Sequence, residues 1–149
     1  MSGRTLETLL LLSIKNDTDG HDFEVIAGAA KLISSNLPVV LFECDAFANT
    51  NYVEDCLNTL RFFKHNGYNH FLLYDNFGSL MGKYSLSDLS AFQNLLYYQL
   101  TSCFYYFDIL VMKDDDISLF FKTEIDFFTE KMPNKSLRRT AKAAAELRR

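Results

Sequence analysis

The acids of one short polar stretch, residues 15–22 (KNDTDGHD), have the types and spacing that could do chemistry. A largely apolar run, residues 9–14, precedes this stretch, and an amphipathic segment, residues 23–34, follows it. In α/β proteins, ligands bind where polar groups follow the carboxyl end of a buried strand. The order of strand, acidic turn and helix therefore predicts a site at Asp17 and Asp19.

Polar side chains follow two further apolar runs in the same way. Glu43 and Asp45 end the run at residues 39–42, and Asp75 and Asn76 follow the run at residues 70–74. We expect Glu43 and Asp45 to face the same crevice as the first stretch, with Asp75 and Asn76 lining a pocket for an acceptor molecule.

Each candidate also has a structural alternative. The carboxylate of Asp17 could orient or deprotonate a hydroxyl group, or it could cap the next helix. Asp19 is a ligand contact or a turn residue, and His21 is a base near neutral pH or a solvated residue at a helix start. The alternative for Asp75 is an Asx-turn.

Hydrophobic spacing predicts strands that alternate with helices. The predicted strands cover residues 10–14, 39–42, 70–74 and 104–112. The predicted helices cover residues 23–34, 52–63, 86–101, 117–131 and 136–149. We expect Gly28, inside the first of these helices, to permit close packing on the sheet. This order predicts an α/β fold, with an exposed apolar edge at the first strand that something should cover.

The composition is that of a globular protein without a membrane span. The chain has 149 residues, enough for one domain, and 48% are apolar. No apolar run approaches the roughly 20 residues that cross a bilayer, and residues 1–7 do not resemble a signal peptide. Three widely spaced cysteines indicate neither a disulfide framework nor a cysteine-based metal site. We therefore predict a soluble cytoplasmic protein.

Charge is distributed unevenly along the chain. Residues 1–130 carry a net charge of −10 and residues 131–149 a net charge of +6, which together give −4. A basic tail can contact nucleic acid or a membrane surface, and the alternative is a solvated terminal helix. No aromatic residue is interleaved with the charges of the tail, so we do not expect nucleic-acid binding.

Two segments carry a family resemblance. Residues 14–29 (IKNDTDGHDFEVIAGA), followed by residues 38–43 (PVVLFE), resemble FkbM-type methyltransferases. The shared pattern is a strand ending in Lys-x-Asp-x-acid-Gly, an acid, a Leu/Val pair and Gly-Ala, and then a strand from Pro to Phe-Glu. Residues 5–10 (TLETLL), 67–68 (GY) and 108–111 (DILV) continue it, so the resemblance covers about residues 4 to 130.

The resemblance implies a Rossmann-like class I methyltransferase sheet and S-adenosylmethionine as the cofactor. The implied reaction is methyl transfer to a hydroxyl of a sugar or another small molecule, with Asp17 beside the transfer site. The predicted site residues are Asp17 and Glu43 for catalysis, Asp17 and Asp19 for the cofactor, and His21, Asp45, Asp75 and Asn76 for the substrate. We predict no metal.

The chain also departs from the family. Asn16 stands where the family has an apolar strand residue, so this strand should end early. The family holds its cofactor with a Gly-rich loop after its first strand, yet this sequence contains no Gly-x-Gly. The resemblance therefore implies that residues 1–131 are the carboxyl-terminal part of the domain, strands four to seven, with residues 132–149 as a basic tail.

Such a half-domain should be weak or inactive alone, and the missing half would cover the exposed edge. A non-catalytic half-domain that pairs with itself or another chain is the principal alternative.

Two classes of metal-dependent protein share part of this pattern. The run Asp17–Gly20 is similar to the nucleophile loop of haloacid-dehalogenase-type phosphatases, with Asp114, Asp115 and Asp116 as magnesium ligands, although His21 replaces the expected Thr. An EF-hand loop aligned on Gly20 would need an acid at Lys15, so the calcium-loop hypothesis fails.

Overall fold

A computed structural model describes residues 13–15, 20–102 and 106–146. The strands are β1 (Ser13–Lys15), β2 (Val39–Cys44), β3 (His70–Asp75), β4 (Leu80–Ser85) and β5 (Phe107–Val111). The helices are α1 (Asp22–Gly28), α2 (Ala30–Asn36), α3 (Tyr52–His65), α4 (Ser90–Ser102), α5 (Asp114–Glu130) and α6 (Arg138–Glu146), with a 3-10 turn at Lys135–Leu137. The predicted α/β class is confirmed.

The strands form one sheet in the order β1-β2-β5-β3-β4. β1 and β2 are parallel, whereas β5 is antiparallel to both β2 and β3, and β4 is antiparallel to β3. β1, β2 and β3 therefore run in one direction, and β5 and β4 run in the other. Adjacent strands are mostly antiparallel, unlike the mostly parallel neighbours of a Rossmann-like sheet.

Helices cover the sheet unequally on its two faces. The core face carries Val40, Phe42 and Ile109, which pack against buried residues from α1 to α4 such as Ile33 and Leu60. The second face carries Leu72 and Leu110, which pack against Ile117 of α5. Because side chains alternate along a strand, neighbouring residues of β2 belong to opposite faces.

The segment predicted as one helix at residues 23–34 is two helices. α1 ends at Gly28 and α2 begins at Ala30, and each buries one isoleucine, Ile26 or Ile33. Gly28 is exposed and a Cβ added there would meet nothing within 4 Å, so the expected close packing on the sheet is wrong. Val25 and Leu32, two apolar residues of this amphipathic segment, are exposed.

β4 was not predicted, and its irregularity explains why. Its register with β3 shifts so that Leu73 pairs with Gly82 and Tyr74 pairs with Leu80, which leaves Met81 as the extra residue of a bulge. α4 then begins at Ser90, four residues later than residue 86, where the helix was predicted to start. Leu100, expected to point inward, is exposed.

The predicted ends of two helices are confirmed. Leu37 ends α2 in the left-handed conformation, with φ 48°, immediately before Pro38. Proline disfavours a helical conformation in the residue before it. α3 ends at His65, and Gly67 follows with φ 95°.

The expectation that the cysteines do not pair is wrong. Cys44 of β2 and Cys56 of α3 form a disulfide, and both residues are fully buried. The prediction failed because pairing depends on how β2 and α3 pack, which the 12-residue separation in sequence does not reveal.

The basic tail forms α6, which packs on α5. The Lys142 ammonium pairs with the Asp126 carboxylate of α5, and the Arg138 guanidinium donates to the Met132 carbonyl at 3.2 Å. Of the helices within the described ranges, none combines the length and apolar character that a membrane span requires.

Two glycines give a matched stability test. Gly67 has φ 95°, a conformation that strains an L side chain, whereas Gly28 ends a helix in open space. Gly67→Ala should lower the free energy of unfolding by about 1 kcal/mol, and Gly28→Ala should raise it by up to about 1 kcal/mol. Urea denaturation measures both changes. A shift of the same sign in both variants would contradict the conformational assignment.

Candidate functional site

Three strands end at one edge of the sheet. Because β1, β2 and β3 run in the same direction, their last residues, Lys15, Cys44 and Asp75, lie at a common edge, which we call the site edge. β5 separates β2 from β3, and Cys44 and Asp75 both pair with Phe107 in the register. The carboxyl ends of β2 and β3 are therefore two strand spacings, about 10 Å, apart.

Asp17 and Asp19, the first acids predicted for the site, lie outside the described residues. The described residues nearest to them in the chain are Lys15, the last described residue of β1, and Gly20, which precedes α1 with φ 95°. The early end of this strand, expected from Asn16, also falls outside the described residues. A Cβ at Gly20 would lie 3.0 Å from the Cβ of Phe47, so the turn after β2 packs against Gly20.

Asp22 connects the start of α1 to the end of β2. Its side chain is only 2% exposed, and its Oδ2 accepts a hydrogen bond from the Glu43 backbone N–H at 2.6 Å. Glu43 lies two residues past the last register pair of β1 and β2, Lys15 with Leu41. The Asp22 carboxylate thus satisfies a backbone donor of β2 beyond the register pairs that are described.

Glu43 lies on the second face of the sheet. It alternates with Phe42 and Cys44, which belong to the core face, and it pairs directly with Asp108 of β5. Directly opposed residues on antiparallel strands have Cβ atoms about 5 Å apart. Glu43 and Asp108 therefore bring two carboxyl groups together beside the site edge. Asp108 was not among the predicted site residues.

Asp45 and Asp75 both shape turns at the site edge. Asp45 Oδ1 accepts the Phe47 N–H at 3.1 Å, and Asp75 Oδ1 accepts the N–H groups of Phe77 and Ser79, each at 2.9 Å. These are Asx-type contacts, the structural alternative considered for Asp75. Both turns leave a phenylalanine exposed at the site edge.

His21 and Asn76 make only peripheral contacts. His21 stands at the N-cap position of α1, and its exposed ring has Nδ1 3.2 Å from Glu24 Oε2. The Asn76 carbonyl accepts from the Tyr106 hydroxyl at 3.5 Å.

A buried polar network lies beneath the site edge. The Tyr52 hydroxyl lies 2.6 Å from Gln99 Oε1 and 2.9 Å from the Cys44 carbonyl, and Gln99 Nε2 donates to that carbonyl at 3.0 Å. Burial raises the pKa of Tyr52 far above its usual value, and the Asp45 charge raises it further, although the bond to Gln99 lowers it. Tyr52 therefore remains a neutral donor that fixes the end of β2.

The structure does not bring all of the predicted substrate and catalytic residues together. Glu43 lies on the second face, Asp45 follows the end of β2, and Asp75 ends β3 two strands away. The expected common crevice of Glu43 and Asp45 with the first stretch stays a prediction, because Asp17 and Asp19 lie outside the described residues.

The acids after β5 lie at the other edge of the sheet. β5 runs opposite to β1, β2 and β3, so Asp114, Asp115 and Asp116 follow its end away from the site edge. Asp114 instead contacts Asn69 and His70. These three acids therefore lie away from the site edge, toward which the described part of β1 runs. No group of metal-ligating side chains is found in the described ranges.

No protein-family model, curated protein or solved structure matches the chain.

The buried Asp22 contact can be tested against an exposed one of the same chemistry. Asp22→Ala removes the acceptor of the Glu43 N–H and should lower the free energy of unfolding by about 1–3 kcal/mol. Asp45→Ala removes a similar but exposed contact and should cost less, about 0.5 kcal/mol. Urea denaturation of both variants checks this, and equal losses would show that burial does not strengthen the Asp22 contact.

Proposed function

We propose that this chain is the acceptor-binding part of an FkbM-type, S-adenosylmethionine-dependent O-methyltransferase. The observation that carries the proposal is the site edge, toward which three strands run in the same direction. Acid-bearing turns follow β2 and β3 there, and Asp17 and Asp19 follow β1 in the sequence. Such an edge is where α/β enzymes bind their ligands. The acceptor in this proposal is a hydroxyl of a sugar or another small molecule.

The strand order supports this proposal. The class I methyltransferase fold ends in an antiparallel strand that is inserted between its fifth and sixth strands. With β1, β2 and β3 taken as strands four, five and six, β5 has this position and this direction. β4 then extends the sheet beyond the sixth strand as a hairpin.

The described residues do not form a glycine-rich turn that would bind S-adenosylmethionine. A nucleotide cofactor needs a Gly-rich turn where the backbone can approach it closely, and the sequence has no Gly-x-Gly. Gly20, the glycine nearest the site edge, is already packed against Phe47. We therefore propose that this chain alone holds the cofactor weakly, through Asp17 and Asp19.

The chemistry assigned to this chain is on the acceptor side. A carboxylate beside an acceptor hydroxyl can orient it and take its proton, and we assign this role to Asp17. Glu43, with Asp108 opposite it, is the second carboxyl group assigned to the site. Asp22 is a positioning residue, because its buried carboxylate accepts the Glu43 backbone N–H.

A non-catalytic half-domain is the second candidate. Within the described residues, β1 pairs with β2 alone, so it forms an edge of the sheet. Exposed edge strands pair readily with other chains. On this hypothesis, the chain associates with itself or a partner through β1 and binds no cofactor.

A titration with S-adenosylmethionine followed by amide NMR separates these functions. At millimolar concentrations, signals near the site edge, such as those of Gly20 and Phe47, should shift, and Asp17→Asn should weaken the binding about tenfold. Asp115→Asn, an exposed acid at the opposite edge, is the matched control and should leave the binding unchanged.

The other outcomes each count against part of the proposal. A dissociation constant near 1 μM would overturn the weak-holder proposal and indicate a complete cofactor site. An absence of site-edge shifts, together with a concentration-dependent dimer in sedimentation, would favour the non-catalytic half-domain.

A further inference from the structure

A cleft on the second face of the sheet lies apart from the site edge. It has a volume of about 710 Å³ and lies between the β3–β4 hairpin, α5 and α6. This volume is in the range of small-molecule sites. His70 lines the cleft at the start of β3, whereas Asp75 ends β3 at the site edge. Lys83, which also lines the cleft, is level with Leu72 in the register, three residues of strand, or about 10 Å, from Asp75.

The cleft gathers positive charge in a chain whose net charge is −4. Lys83 from β4, Lys122 from α5 and Lys142 from α6 line it, against one carboxylate, Glu146. Lys142 already pairs with Asp126. In the part of the chain that the structure describes, neither Lys83 nor Lys122 forms an ion pair with a carboxylate. The positive charges of Lys83 and Lys122 repel each other across the cavity, and an anion bound between them would offset this repulsion.

Hydroxyl and apolar groups complete the lining. Ser118 of α5 lines the cleft, and so does Ser85 of β4, whose oxygen accepts from the Ser87 N–H, so that its own O–H can donate into the cleft. Phe121 and Ile125 of α5 supply an apolar wall. The Lys83 ammonium lies 5.3 Å from the centre of the Phe121 ring, which holds this cation at the wall.

We propose that this cleft binds a small organic phosphate, with the phosphate between Lys83 and Lys122 and the carbon part against Phe121. Lysine ammonium groups and hydroxyls suit the several oxygens of a phosphate. Among the described residues that line the cleft there is no arginine, whose planar fork matches a carboxylate in two parallel bonds. The apolar wall favours an organic phosphate over the inorganic ion. This site is independent of the proposed methyl transfer.

Phenyl phosphate is the probe, titrated into the full chain at low salt and followed by amide NMR. Signals of β4 and α5 around the cleft should shift, and benzoate, which has the same ring with a carboxylate, should bind about tenfold more weakly. Inorganic phosphate should also bind more weakly because it makes no contact with the apolar wall.

Charge-removing variants locate the site. Lys83→Gln and Lys122→Gln should each weaken phenyl phosphate binding about tenfold. Lys31→Gln, at an exposed lysine of α2 on the core-face side, should not change it. Lys122 is exposed, so K122Q keeps the test informative even if K83Q disturbs β4.

Three results would overturn the proposal. The first is an absence of shifts up to about 10 mM phenyl phosphate. The second is equal weakening by K31Q and K122Q, which would indicate attraction to the overall charge. The third is equal affinity for benzoate and phenyl phosphate, which would overturn the assignment to phosphate.

Discussion

The direction of β5 is the constraint on which the arrangement of this protein depends. β5 is antiparallel to β2 on one side and to β3 on the other, and four of its five residues are buried. Because β5 runs backwards between two strands of the same direction, the ends of β2 and β3 meet at one edge. The acids that follow β5, beginning with Asp114, fall at the opposite edge. The separation of the two candidate sites follows from this single reversal.

The sequence predicted best the elements that bury the most apolar side chains. β2 and β3 are continuous apolar runs and α3 has a helical apolar pattern, and their observed bounds lie within two residues of the predicted ones. β4 has no such pattern, because a bulge at Met81 and an edge position remove both the alternation and the burial. Its pairing with β3 is a tertiary preference that overrides weak local propensity. The Cys44–Cys56 pairing likewise depends on packing.

The sequence predicted where Asp45 and Asp75 lie along the strands, but it did not predict their hydrogen bonds. The rule that acids after buried strands meet at one edge placed Asp45 and Asp75 correctly at the ends of β2 and β3. The rule did not predict the hydrogen-bond partners of these carboxylates. In the structure, their oxygens accept hydrogen bonds from backbone N–H groups of their own turns. From the sequence alone, Asp22 is an ordinary acidic residue in the first turn of a helix. Its burial and its bond to Glu43 depend on how the start of α1 packs on the end of β2, which the sequence does not reveal.

The fold brings lysines from distant parts of the sequence together at one cleft. Packing of α6 on α5 carries the tail's Lys142 to the second face, where it meets Lys83 and Lys122 of the acidic region. Positive charge is thus concentrated at one cleft, while Glu43 and Asp108 place negative charge beside the site edge. In the strand register, Lys83 is level with Leu72 and Asp108 is level with Tyr74, so the two side chains start two residues and two strands apart, roughly 12 Å. This distance is little more than the Debye length of about 8 Å at physiological ionic strength, so salt screens the two regions from each other only in part. An anion in the cleft would therefore make the electrostatic potential at the site edge more negative.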